Sequence, residues 1–157
     1  MIWSWLAAGF AGTLVMTTVT RGASELGVTR MDLPFLLGTA VTENRRKAKA
    51  IGYAIHFVIG VAFALLYGLF FLAIGRSSWW IGGLLGAIHA LFVGAVLVSI
   101  LLPIVHPRMG TPETSAAEIA LVEPPGFMLL NYGRNTVLVT LASHIAYGVI
   151  IGLIARV

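Results

Sequence analysis

Ile51-Gly-Tyr-Ala-Ile-His56-Phe-Val-Ile-Gly60-Val-Ala-Phe-Ala64-Leu-Leu-Tyr-Gly68-Leu-Phe-Phe-Leu-Ala-Ile74 carries no formal charge over its whole length. A hydrocarbon core of about 30 Å is crossed by roughly 20 apolar helical residues, and this stretch is long enough. Three more stretches qualify, so the spanning helices are placed near 3–20, 50–74, 80–104 and 136–155. The rest of the 157-residue chain agrees: 59% is hydrophobic, 10% is charged and the mean hydropathy is +0.96. That balance excludes an ordinary soluble domain. The expected fold is an all-α membrane protein, one domain over residues 1–157. It is a four-helix bundle made of two parallel-repeat helical hairpins with short interfacial segments in the cytoplasmic loops.

Charge sets the expected topology. Arg21, Arg30, Arg45, Arg46, Lys47 and Lys49 fall between helices 1 and 2, and Arg108 and Arg134 between helices 3 and 4. Only Arg76 and Arg156 fall on the other side. The positive-inside rule places both long loops in the cytoplasm and both termini outside, in a multi-pass protein of the inner (cytoplasmic) membrane. Trp3, Trp5, Trp79 and Trp80 sit at the outer helix ends and read as half of an aromatic belt. The net charge of +4 is therefore a topology signal that also touches anionic lipid, not a nucleic-acid footprint. There are no cysteines, which excludes disulfides, iron–sulfur clusters and thiolate metal sites. The N-terminal apolar run has neither a basic leader nor a cleavage motif and reads as a retained helix.

Two halves of the chain share an order of features. Gly9-Phe-Ala-Gly12 on helix 1 matches Gly83-Leu-Leu-Gly86 on helix 3. Each long loop then offers an acid, a proline, an apolar run and a glycine: Asp32-Leu-Pro34-Phe35-Leu-Leu-Gly38 and Glu123-Pro-Pro125-Gly-Phe127 through Gly133. Each loop leads into a helix with a histidine four residues before a glycine, His56–Gly60 and His144–Gly148. Common order of this kind points to duplication about an axis along the membrane normal. Segments 33–38 and 126–132 are apolar enough to lie at the interface or fold back on the bundle. Thr42 is the expected cap of helix 2. Gly27 suits the end of a helix 1 extension in which Arg21 and Glu25 pair. Thr111-Pro112 and Ser115-Ala-Ala-Glu118 suggest a short helix near 112–122. The stripe Gly82, Gly86, Ala90, Gly94 on helix 3 reads as close packing within the bundle, with a homodimer interface as the alternative.

An ionisable residue within a membrane helix marks a candidate site. His56 and His144 are the principal candidates as cofactor ligands. His89, Asp32 and Glu123 complete a candidate metal set, the carboxylates serving as ligands or as acceptors that orient a ligating imidazole. His106 lies where helix 3 leaves the membrane. Imidazole suits transition metals, and two histidines at matched depth suit a bis-histidine haem b. Without CxxCH there is no covalent haem. A second reading is structural: neutral histidines bonded to Thr13, Thr17, Thr18 or Ser99, in an accessory subunit of a membrane complex. A third is proton or small-ion transport as an oligomer, which an absence of broken helices and of polar lining disfavours. Catalysis by side chains alone has the least support, since no GxSxG, HExxH, P-loop or dinucleotide fingerprint occurs. The expected partners are the lipid bilayer and further copies or subunits in the membrane, with no nucleic acid.

Met31-Asp-Leu-Pro34, Leu37-Gly38-Thr39, His106-Pro-Arg-Met109, Glu123-Pro-Pro-Gly-Phe127 and Leu130-Asn-Tyr-Gly133, with the two histidine–glycine helices, resemble a family of small, uncharacterised bacterial four-helix membrane proteins. The resemblance covers nearly the whole chain. It implies a bacterial cytoplasmic membrane and brings no substrate, cofactor, reaction or functional residue.

Overall fold

The computed structural model describes residues 1–110 and 122–157. Glu113, Glu118 and the short helix expected near 112–122 fall essentially outside these residues. The protein is all-helical, and four helices are long and apolar enough to cross a membrane. These are α1 (Ile2–Glu25), α3 (Arg45–Ile74), α4 (Trp79–Val105) and α5 (Thr136–Ile154). A short helix α2 (Leu33–Thr39) lies in the first long connection, and a 3-10 turn (Phe127–Tyr132) in the second. Among the described residues there is no strand, only an isolated bridge between Met109 and Val122. Leu14, Val58, Leu66, Leu84, Leu138 and Leu153 are exposed on the outside of the bundle, as lipid contact requires.

Local chemistry fixes the helix ends. Gly27 takes the left-handed conformation (φ +72°) just past α1, and the Val28 N–H reaches back to the Ala23 carbonyl at 2.9 Å. Gly75 (φ +66°) ends α3 in the same way. The Arg21–Glu25 pair forms at 2.7 Å on the α1 extension. Helix α3 starts at Arg45 and is capped by Asn44, whose Oδ1 accepts from the Lys47 N–H at 3.1 Å. The expected cap Thr42 instead accepts from Asn44 N–H at 3.3 Å and shapes the turn before the helix. Asp32 caps α2 by accepting from Phe35 N–H at 3.0 Å, with Pro34 in the first turn.

Glycines decide which helices touch. A Cβ at Gly82 would strike the Gly148 backbone, and one at Gly86 the His144 carbonyl, so α4 and α5 lie backbone to backbone. The small-residue stripe of α4 is thus used within the chain over these positions, while Gly94 lies instead beside Met128. Gly9 makes room for Ala64 and Val61, Gly60 for Thr13, and Gly12 for Tyr147, which holds α1 against both α3 and α5. Helix α2 is docked on α3 at two points, Gly38 on Ala48 and Gly52 on Pro34. No such contact joins α3 to α4. They approach through side chains, Phe63 and Tyr67 against His89.

Two features depart from expectation. Trp5 is in the core at 3% exposure rather than in the belt. Gly68 leaves space for its indole, and its Nε1–H donates to the Arg156 carbonyl at 2.9 Å, so it pins the far end of the chain. Trp3, Trp79 and Trp80 are exposed at that end. The other departure is in α4, which was expected as one regular helix. It widens into a π-helix over Val93–Leu101. The Ser99 hydroxyl shares its one proton between the Gly94 carbonyl and the Gly126 carbonyl (2.9 Å), and accepts from Met128 N–H at 3.0 Å. Pro103, just beyond, brings no N–H to the ladder. A side chain inserted in the ladder beside a missing donor is the usual cause of such a widening.

The two long connections are tied together at the loop end of the bundle. Arg30 reaches Glu123 at 3.2 Å and the Asn131 carbonyl at 2.5 Å, and its N–H donates to the Tyr132 carbonyl. Tyr132 donates to the Glu123 carbonyl at 2.6 Å, and burial pushes its phenol up to about 12, so it remains a donor at neutral pH. Buried Thr29 and Thr136 share a hydrogen bond of 2.6 Å. His106 holds α2: its Nε2–H donates to the Leu36 carbonyl at 3.0 Å, near Thr39 Oγ1, while its Nδ1 accepts from Arg108 N–H.

Candidate ligand cavity

The open seam between α3 and α4 leaves space inside the bundle. A cavity of about 120 Å³ is lined by His56 from α3, His89 from α4 and His144 from α5, with Tyr147, Phe63 and aliphatic side chains around them. A smaller cavity of about 20 Å³ adjoins it and shares His56 and His144, with Thr140 on its wall. All three histidines are buried, at 6%, 9% and 7% exposure.

The hydrogen bonds fix what each imidazole offers. His144 Nδ1 lies 2.8 Å from the Thr140 carbonyl, which can only accept, so Nδ1 carries the proton. Its Nε2 is then the lone-pair nitrogen. His89 Nδ1 lies 3.3 Å from the Tyr67 hydroxyl, and no other acceptor for that hydroxyl occurs among the described residues. Tyr67 therefore donates, Nδ1 accepts, and His89 Nε2 carries the proton. That N–H is buried and has no partner among the described residues. Thr140 Oγ1 is likewise unpartnered. His56 shows no hydrogen bond among the described residues. An orphaned buried polar group costs about 1–3 kcal/mol, so one on the wall of each of the two adjoining cavities needs a reason.

The structure groups the candidates differently from their spacing. His89 and His144 are the neighbours, with ring centroids 5.0 Å apart and planes at 85°. His56 lines the same cavity without stacking on either. Asp32 lies apart, paired with Lys49 at 3.0 Å as it caps α2, and Glu123 lies apart with Arg30. Among the described residues no group of three or more His, Cys, Asp or Glu is arranged to hold a metal ion. The cavity is also well below the roughly 300–1,000 Å³ of pockets for drug-sized ligands and cofactors, so a haem does not fit. The hydroxyls of Thr13 and Thr18 bond carbonyls of their own helix, and Ser99 bonds Gly94 and Gly126; none serves a histidine. Tyr67 and Thr140 take that role. Tyr67 was legible only as an aromatic on the His56 helix, because its bond depends on where α4 crosses.

The fold and cavity define a class: an all-helical protein with four membrane-length apolar helices around a histidine-lined interior. Comparison with known proteins found no matching family model, no matching curated protein and no matching solved structure.

Proposed function

We propose that this chain is a multi-pass protein of the bacterial cytoplasmic membrane that holds a small ligand in its histidine-lined cavity, with His56, His89 and His144 as the groups that engage it. The single observation that carries this reading is the buried Nε2 of His89, which has no partner among the described residues and lies at the wall of a cavity. Folding tolerates such a group where function uses it. We further propose one domain built from two parallel hairpins, α1 with α3 and α4 with α5, with both termini outside. The matched glycines within each hairpin and the basic loop end support this. A transition ion has two imidazoles to use at most, His56 and His144, since the Nδ1 lone pair of His89 is taken by the Tyr67 hydroxyl and its Nε2 carries the proton. Asp32 and Glu123 are structural ion-pair partners in this reading.

The competing reading is an accessory subunit whose histidines only pack. The bonds of His144 to Thr140 and of His89 to Tyr67 favour it in part. A Tyr67→Phe/His89→Leu double variant separates the two. It removes both ends of the Tyr67–His89 bond together with the orphaned donor. If the histidine is there for a ligand, the ligand-free double variant is as stable as the parent or more stable, by up to about 3 kcal/mol. Reversible unfolding in bicelles measures this. A loss above about 2 kcal/mol would make His89 a structural residue and refute the ligand reading.

A further inference from the structure

The cavity is not fully enclosed, and the seam between α3 and α4 is where helix contacts do not close it. Helix α1 closes it between α3 and α5, and α5 closes it against α4, in both cases through glycine contacts. Between α3 and the π-helical half of α4 there is no such closure. Ile59 on that seam is 39% exposed, and Phe63, Leu97 and Leu102 are partly exposed. These side chains line the cavity and face the bilayer at membrane depth, so a solute arriving there comes from the hydrocarbon phase.

The polar groups inside specify its head. His89 Nε2 is a buried donor without an acceptor, and His144 Nε2 is a lone pair whose ring is fixed by Thr140. The rings are neighbours. One hydroxyl group accepts from the first and donates to the second, whereas a carbonyl satisfies only His89. An ammonium brings a charge for which the cavity has no counter-ion, as no acidic residue lines it. A metal ion is repelled by the His89 N–H.

We propose that the cavity receives the head of a membrane-borne alcohol, an uncharged hydroxyl on a hydrocarbon tail, which enters laterally between α3 and α4. Its hydroxyl bridges His89 and His144, and its tail leaves past Ile59 and Leu97. This rests on the ligand reading above and names the ligand's class and route.

The test uses the full chain with ¹⁵N-labelled histidine in phospholipid nanodiscs, with farnesol as probe and farnesyl methyl ether as control. The ether has the same chain and cannot donate. Farnesol is expected to shift the His89 and His144 imidazole signals saturably, and the ether at least about tenfold more weakly, the loss of about 1.4 kcal/mol for one hydrogen bond. Leu97→Trp, or Ile59→Trp from the other wall, fills the seam and is expected to weaken farnesol to the same degree or more while leaving both signals in place before titration. Equal shifts from alcohol and ether would mean partitioning alone and overturn the proposal. Saturable shifts of His56 and His144 with zinc ions, and none with farnesol, would also overturn it while leaving the ligand reading intact. No saturable shift with either probe would overturn both.

Discussion

Replacing Gly148 by valine is expected to abolish the packed bundle. A Cβ at Gly148 collides with the Gly82 carbonyl and comes within 3.0 Å of the Gly86 nitrogen. Both are backbone atoms of a continuous helix, so no rotamer change relieves the clash. The helices must separate, and the contacts of Gly82, Gly86 and Gly152 along the same line separate with them. Membrane helices gain their association from such close packing, because lipid tails compete equally well for apolar side chains. Overpacking a rigid site costs about 1–3 kcal/mol and more where backbone opposes backbone. We therefore expect a loss of at least about 3 kcal/mol, read as reversible unfolding in bicelles. Gly83→Val, on the facing helix α4, is the control, since a Cβ there meets only side chains at 3.2 Å and beyond. Comparable stability for the two variants would disprove the backbone-contact account of α4 and α5.

Valine at Gly52 should act more locally. The added Cβ strikes the Pro34 carbonyl, so α2 can no longer sit on α3. The membrane helices are untouched, and the chain should still insert. Helix α2 is also held by the Asp32–Lys49 pair, by His106 on the Leu36 carbonyl and by Arg108 on the Thr39 carbonyl at 2.7 Å. The exposed ion pair adds little. A docking energy reduced by about 2–3 kcal/mol raises the undocked population about 30- to 150-fold. Limited trypsin digestion of proteoliposomes reads this as faster cleavage at Arg30 and Arg45, which flank α2. Unchanged cleavage would show that α2 is not held by its contact with α3. Leu33 and Leu37 of α2 line the histidine cavity, so the same variant opens that cavity from the loop end.

The membrane-length helices were legible in the sequence because the bilayer leaves few alternatives: an uncharged run such as 51–74 has nowhere else to go. Caps with a local mechanism were legible too, as at Gly27 and the Arg21–Glu25 pair. Thr42 and Asn44 show the limit. Both residues cap well, and the choice rested on a turn geometry that the sequence does not encode locally. Trp5 shows another, since three of the four tryptophans are exposed at the helix ends and the fourth is drawn inward by space at Gly68. The histidines were legible as candidates and not as a constellation. Periodicity places His56 and His144 on matching faces, but whether they meet depends on which helices are neighbours. Because α4 packs on α5 and not on α3, His144 meets His89. The widening at Val93–Leu101 was marked only by Pro103 just beyond it, since Val-Gly-Ala-Val-Leu-Val-Ser-Ile-Leu itself reads like any membrane helix.

That widened stretch gives α4 an unusual tolerance to changes of length. A π-helix holds more residues per turn than an α-helix, so removing a single residue within 93–101 can be absorbed by tightening to α-helical hydrogen bonds, with no break in the helix. The helix would survive and so, roughly, would its phase, because the residue removed is one that the wide turns hold in excess. His106, whose ring holds α2, would stay near the Leu36 carbonyl. In a deletion series along α4, shortened chains missing one residue of 93–101 would therefore accumulate in the membrane with α2 still held. Deletions between Gly82 and Ala90 would instead turn the helix by about 100°, the angle per residue of an α-helix, break the contact with α5 and fail to accumulate.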